Sequence, residues 1–390
     1  MLAGTCHYSR VPDRKNDQQV ATRLVFLVIG WAVGAWAPMV PLIKARFHLE
    51  PASLGNLLLC LGVGSIVVLP VCGRLAVRYG LRRVLTLSSL GCALFLLLSV
   101  LAPHTWLLAV MLALSGASIG VTDVVVNIQA VTVEKQAGRP LMSGFHGMFS
   151  VGGVGGSALA TLLLKLGMSP AATTLVSVVA MAAAVLWARG GLMTTGEDRE
   201  GPAFAWPKGR VLALGVMCFV LFMAEGSVTD WAAVLLREWR HWPDGAGLGY
   251  VAFATMMTTG RLTGDWLVGH VGRLQTVVFG SALTAVGFCL AALVPSPVVG
   301  LVGFALVGAG ASNVVPVFFT AAGNQHDMPV AQALPAVTTL GYLGFLAGPA
   351  LIGYAAEKYT LPVALVMLAA TVAAVAAAAP SAMGRILKGA

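Results

Sequence analysis

The chain has 390 residues, of which 58% are hydrophobic and only 10% charged, and its mean hydropathy is +0.87. A soluble fold carries roughly 25% charged residues and keeps a polar exterior, so this composition excludes a cytosolic enzyme, a disordered chain and a nucleic-acid binder. The net charge of +9 needs either an anionic partner or a topological cause.

Apolar runs near the length that crosses a bilayer predict membrane helices along the whole chain. In the first half they fall at 22–44, 53–76, 84–102, 105–132, 142–165 and 170–188. In the second they fall at 211–236, 247–268, 275–294, 298–321, 331–356 and 361–380. The expected organisation is a tail over 1–21, a six-helix half over 22–188, a linker over 189–210, a second half over 211–380 and a tail over 381–390. The fold class is therefore all-α: a polytopic membrane protein with twelve transmembrane helices in two pseudo-symmetric halves. The polar leader through Arg23 runs into an apolar stretch longer than a signal-peptide core, so no cleaved signal is expected. Cys6, Cys60, Cys72, Cys92, Cys218 and Cys289 show no CxxC or metal-ligand spacing and read as small packing residues.

Lys and Arg set the orientation. With the N-terminus in the cytoplasm, 18 cations fall inside and 6 outside. The outside set is Lys44, Arg46, Lys165, Arg237, Arg240 and Lys358. The positive charge is thus topological, and both termini are expected to be cytoplasmic.

The two halves read as a repeat. Gly34 and Gly226, Gly80 and Gly272, Gly116 and Gly308, Gly152 and Gly344, and Gly156 and Gly348 are each 192 positions apart. Each pair stands in corresponding spans or turns. Gly30/Gly34, Gly152/Gly156 and Gly344/Gly348 also have the spacing of close helix crossings.

Gly73 to Val84 reads GRLAVRYGLRRV. It resembles the loop signature of the major facilitator superfamily, Gly-x-Leu-Ala-Asp-Arg-x-Gly-Arg-Arg. Gly73, Leu75, Ala76, Arg78, Gly80, Arg82 and Arg83 fit, and Val77 stands at the acidic position. Gly264 to Arg273, GDWLVGHVGR, is a degenerate second copy. The strings GAWAPMVPLIKAR (34–46), DVVVNIQAVTVE (123–134), GRPLMSGFHGMFSVGG (138–153), EGSVTDW (225–231) and NVVPVFFTAAG (313–323) are similar to a bacterial branch related to fucose-permease-type transporters. The resemblance implies a secondary transporter. It also implies a gating role for Gly73, Arg78, Gly80, Arg82, Arg83 and Asp265.

Charged residues inside spans are expensive and usually face a cavity. Asp123 lies in the fourth span, and Glu225 and Asp230 in the seventh. Arg261 is the comparably placed cation. A carboxyl that binds and releases a proton as access alternates suits proton coupling, so these acids are the coupling candidates. Asp230, beside Trp231 near the outer boundary, also reads as a structural pair. Asp123 and Asn127 share a helical face. His146 in the fifth span falls at the depth of Asn127, either as a substrate or proton group or as an interhelical hydrogen bond. Asn313, three residues before Pro316, lines a cavity or ties two helices. Trp36 stacks on a solute ring or packs in the core. Arg261 pairs locally with Asp265 four residues on, or with a cavity acid or an anionic substrate.

Other patterns carry less. Gly116–Gly120, GASIG, formally matches a nucleophile elbow but lies in an apolar helix. No Walker A or HExxH string occurs, and no second His or Cys stands at a metal spacing from His146.

The expected function is proton-coupled uptake of a small polar, sugar-like solute by alternating access. Proton-antiporting efflux of an amphipathic compound is the competing reading. A non-transporting receptor is the reading from another class, and it would normally carry a long soluble loop. No enzyme activity, cofactor, metal or nucleic acid is expected. The partners are the solute, protons and the bilayer. The chain is expected to act as a monomer in a bacterial cytoplasmic membrane.

Overall fold

Long apolar runs punctuated by Gly, Pro and Ser form helices whose ends are set by local chemistry. In the computed structural model, residues 14–49, 51–194, 206–242 and 248–383 are described. Cys6, Arg10, the charged linker residues Glu197, Asp198, Arg199 and Glu200, and Arg385 and Lys388 lie outside the described residues.

The first half comprises α1 (Arg14–Trp36), α2 (Met39–Arg46), α3 (Pro51–Tyr79), α4 (Leu81–Leu101), α5 (Thr105–Ala137), α6 (Met142–Lys165) and α7 (Pro170–Ala188). The second comprises α8 (Gly209–Val234), α9 (Leu248–Val271), α10 (Arg273–Leu293), α11 (Pro297–Ala311), α12 (Val314–Asn324), α13 (Val330–Lys358) and α14 (Leu361–Met383). Among the described residues there is no β-strand. Ser169 and Ser296 cap α7 and α11, each followed by a proline that needs no N–H partner in the first turn. Gly138, left-handed at φ 64°, ends α5.

Several boundaries differ from the hydropathy pattern, which locates apolar length and not helix ends. α1 begins at Arg14, within the stretch read as a tail over 1–21. The first span breaks at Ala37–Pro38 and restarts as α2. The tenth breaks at Ser312–Asn313 into α11 and α12. The signature Gly73–Val84 is helical except at Gly80. Eleven helical segments among the described residues are long and apolar enough to cross a membrane. α9 supplies the twelfth span at 24 residues. Its mean hydropathy is lowered by Arg261, Asp265, His270 and several threonines.

The packing is duplicated. α1 on α6, α3 on α5, and α4 on α5 and α7 correspond to α8 on α13, α9 on α11, and α10 on α11 and α14. The glycine repeat explains why. A Cβ on Gly116 would overlap the Leu61 carbonyl, and one on Gly308 would overlap that of Phe253. A Cβ on Gly152 would strike Leu27, and one on Gly344 would strike Phe219. Leu61 and Phe253, like Leu27 and Phe219, are themselves 192 positions apart. The repeat therefore preserves helix crossings as well as residue types. Gly80 and Gly272 hold the same turn, at φ 80° and 92°, a conformation strained for other L-residues. They mark one end of the bundle, hereafter the loop face.

Two arginines brace the opposite face. Arg46 donates to the Val100 carbonyl at 2.8 Å, and Arg240 donates to Ala291 and Ala292 at 2.6 and 2.7 Å. Both cap the C-terminal carbonyls of the third span in their half, α4 or α10. Their presence on the cation-poor side is thereby accounted for.

Candidate functional site

The central cluster grows from α5. Asp123 and Asn127 are one turn apart, and Asn127 Nδ2 donates to Asp123 Oδ1 at 3.3 Å and to the Asp123 carbonyl at 2.8 Å. His146 of α6 meets Asn127 Oδ1 at 3.3 Å through Nε2. An amide oxygen only accepts, so Nε2 carries the hydrogen. The His146 ring lies between Phe26, at 5.0 Å, and Phe319 of the second half, at 5.6 Å. Across the interface, the Tyr342 hydroxyl of α13 donates to Asp123 Oδ2 at 2.8 Å. Asp123, His146 and Tyr342 are half-buried, whereas Asn127 is fully buried.

A second polar group stands on α8 and α9. Arg261 meets Glu225 at 3.4 Å. The local Arg261–Asp265 pair suggested by their spacing is not formed. Asp265 Oδ1 instead accepts the Gly144 N–H of α6 at 2.9 Å. Unpaired N–H groups at a helix start attract a carboxylate, and this one lies across the interface.

The remaining candidates separate. Asp230 is exposed and joins neither cluster. Asn313 is buried at the α11–α12 break and donates to the Gly260 carbonyl of α9 at 3.0 Å, so its amide ties helices together. Trp36 ends α1 and packs against both apolar cores, the large one that runs through both halves and the smaller one confined to the first. In the signature, a Cβ on Gly73 would overlap the Ala331 carbonyl of α13, so α3 and α13 touch backbone to backbone there. Arg82 donates from Nε to Leu192 O at 2.9 Å and from a terminal nitrogen to Gly190 O at 3.2 Å, fastening α4 to the end of α7. Arg78 is exposed beside the Tyr79 ring, and Arg83 is exposed.

Glu134, absent from the sequence candidates, closes the loop face. One oxygen accepts the Leu141 and Met142 N–H groups, both at 2.8 Å. The other accepts the Thr320 hydroxyl of α12 at 2.7 Å and faces Arg273 of α10 at 3.5 Å. Together with Gly144–Asp265 and Gly73–Ala331, it seals this end by contacts between halves. The sequence signal for Glu134 is an acid just past the fourth span. For Tyr342 it is a phenol among glycines in the middle of the eleventh.

The family model described as Major Facilitator Superfamily matches residues 24–331. The chain belongs to the major facilitator superfamily. An uncharacterized MFS-type transporter of Yersinia pestis is 47% identical over 365 residues, covering 93% of this chain and 95% of the relative. Membrane protein MosC of Rhizobium meliloti is 29% identical over 367 residues, covering 92% and 88%. Among solved structures, the Escherichia coli fucose:proton symporter FucP superposes with a TM-score of 0.72 at 15% identity, covering 93% and 98%. The human organic anion transporter MFSD10 gives 0.74 at 14% identity, covering 94% and 99%. These likenesses show the fold. The chain is thus a multi-pass transporter of the superfamily and not an enzyme. In this superfamily member, the central cluster lies between the two six-helix halves, and the Glu225–Arg261 pair stands on α8 and on α9, which packs on α6.

Proposed function

We propose that this transporter imports a small, neutral, sugar-like solute together with protons by alternating access, and that Asp123 carries the proton. It acts as a monomer in a bacterial cytoplasmic membrane, since one chain supplies both halves of the site. Its loop face and both termini lie in the cytoplasm, which the cation distribution supports.

The observation that carries the reading is the contact set of Asp123. It receives hydrogen bonds from Asn127 and Tyr342, and no cation lies in salt-bridge range among the described residues. A carboxylate in an apolar bundle without a counter-ion is costly, and binding a proton removes that charge. Protonation also removes the charge that strengthens a bond spanning the halves. Proton occupancy and inter-half contact thus share one atom pair, Asp123 Oδ2 and Tyr342 Oη. With the loop face sealed, solute and proton reach the site from the opposite side.

The energetics suffice. A proton falling through about 100 mV releases about 2.3 kcal/mol. That supports roughly a 50-fold solute gradient.

The test is uptake into proteoliposomes under an imposed pH gradient. Wild type should accumulate solute in response to the gradient, and Asp123→Asn should not. Accumulation by the variant at the wild-type level would overturn the coupling assignment. Accumulation in the direction opposite to proton flow would favour the efflux reading.

A further inference from the structure

The proton reading leaves the Glu225–Arg261 pair unused. At 3.4 Å the pair is looser than the about 2.7–2.9 Å usual for an N–H donor on a carboxylate. The two side chains are 14% and 12% exposed. The contact occupies one guanidinium nitrogen and one carboxylate oxygen. Glu225 Oε1 and Arg261 Nε are buried without a partner. Buried polar atoms normally have partners. Here an unpaired acceptor and an unpaired donor sit on two groups already in contact, and one ligand carrying both a donor and an acceptor would satisfy the two.

The charge balance selects the ligand. Glu225 and Arg261 cancel each other, so the pair presents no net charge to a ligand. An organic anion satisfies Arg261 Nε but confronts the Glu225 carboxylate. An ammonium satisfies Glu225 Oε1, yet it meets the guanidinium charge and leaves Nε unpaired. A neutral hydroxyl donates to Oε1, and the same or an adjacent oxygen accepts from Nε–H. Phe222, one turn before Glu225, stands edge-on to Tyr342 with ring centroids 5.9 Å apart and supplies an apolar surface for the carbon side of such a ligand.

We propose that the Glu225–Arg261 pair clamps adjacent hydroxyls of a neutral polyol and makes this transporter reject charged analogues. This rests on the transport reading above, and it moves Glu225 from proton coupling to solute binding.

The test is isothermal titration of the purified full chain. Glucose, galactose, fucose, mannitol and myo-inositol serve as neutral probes. Glucuronate, galacturonate and glucosamine are their charged counterparts. At least one neutral probe should bind, with its charged counterparts weaker by about tenfold or more. E225Q and R261Q should each weaken the neutral probe by a similar factor. The double variant E225Q/R261Q and the swapped pair E225R/R261E, checked by melting and size-exclusion profile, separate binding from folding. A purely structural pair predicts recovered affinity in whichever of them folds. Equal or tighter binding of a charged analogue, binding of no neutral probe, or unchanged affinity in the folded variants overturns the proposal. Gradient-driven uptake by Asp123→Asn reports on the coupling assignment separately. If that variant keeps uptake, the coupling assignment fails, and the affinities of wild type, E225Q and R261Q still decide the clamp.

Discussion

The Glu134 carboxylate of α5 accepts the Thr320 hydroxyl of α12 at 2.7 Å, joining the halves at the loop face. The same side chain caps the start of α6, so closing the face and starting α6 depend on one residue. Thr320→Val removes this inter-half bond and leaves the cap and the Arg273 contact. A hydrogen bond to a charged group contributes about 1.5–3 kcal/mol. Thr320→Val should therefore raise the population open at the loop face by roughly tenfold or more. Spin-label distances across the α5 and α12 ends measure this, and unchanged distances would remove Glu134 from the gate. Glu134→Ala should add faster amide exchange at Leu141 and Met142, which Thr320→Val should not.

Asp123 and Tyr342 form a further cross-interface bond, at the central cluster. Tyr342→Phe deletes the donor but leaves the carboxylate. It should retain gradient-driven uptake at a reduced rate, with a shifted dependence on external pH. Asp123→Asn should lose gradient-driven accumulation while preserving exchange of solute against solute. The comparison is made in one set of proteoliposomes with equal reconstituted protein. Equal pH profiles for wild type and Tyr342→Phe would show that the phenol does not tune the acid.

The glycine crossings give a stability prediction with an internal control. Gly344→Ala puts a methyl group onto the Phe219 carbonyl. Overpacking of this kind costs about 1–3 kcal/mol. Gly62, also helical, has open space where its Cβ would stand. Gly62→Ala should be neutral or stabilise by about 0.5–1 kcal/mol. Thermal unfolding in detergent should rank Gly62→Ala at or above wild type and Gly344→Ala below it.

Arg82 tests the signature. Its guanidinium and backbone N–H all reach the segment Gly190–Met193, the latter at 2.8 Å to Met193 O. Arg82→Ala should loosen the end of α7, read as faster exchange or proteolysis near residues 189–194. Arg83→Ala, at an exposed position with no such bonds, should leave it unchanged.

Much of the fold was legible because duplication leaves marks in residue identity. The 192-position glycine pairs gave both the halves and the crossings, since only glycine fits where two backbones touch. Asp123, Asn127 and His146 were legible from helical spacing and depth, which are local properties. Tyr342, Thr320 and Glu134 were not, because their partners lie in the other half or beyond a turn. Arg261 shows the limit most clearly. Its spacing to Asp265 is right for a pair on one helix, but the open N–H groups of α6 take Asp265, and Glu225 takes Arg261. Asp230 shares α8 with Glu225 but is exposed, a difference of helical phase that intramembrane position alone does not report.

The arginine braces bear on how the halves move. Arg46 ties the segment after α1 to the last carbonyls of α4, and Arg240 ties the segment after α8 to those of α10. The two stretches of chain at this end are thus lashed to α4 and α10. A helix held this way does not peel off alone like a lid. Rearrangement at this end must carry α4 along with the segment after α1, and α10 along with the segment after α8.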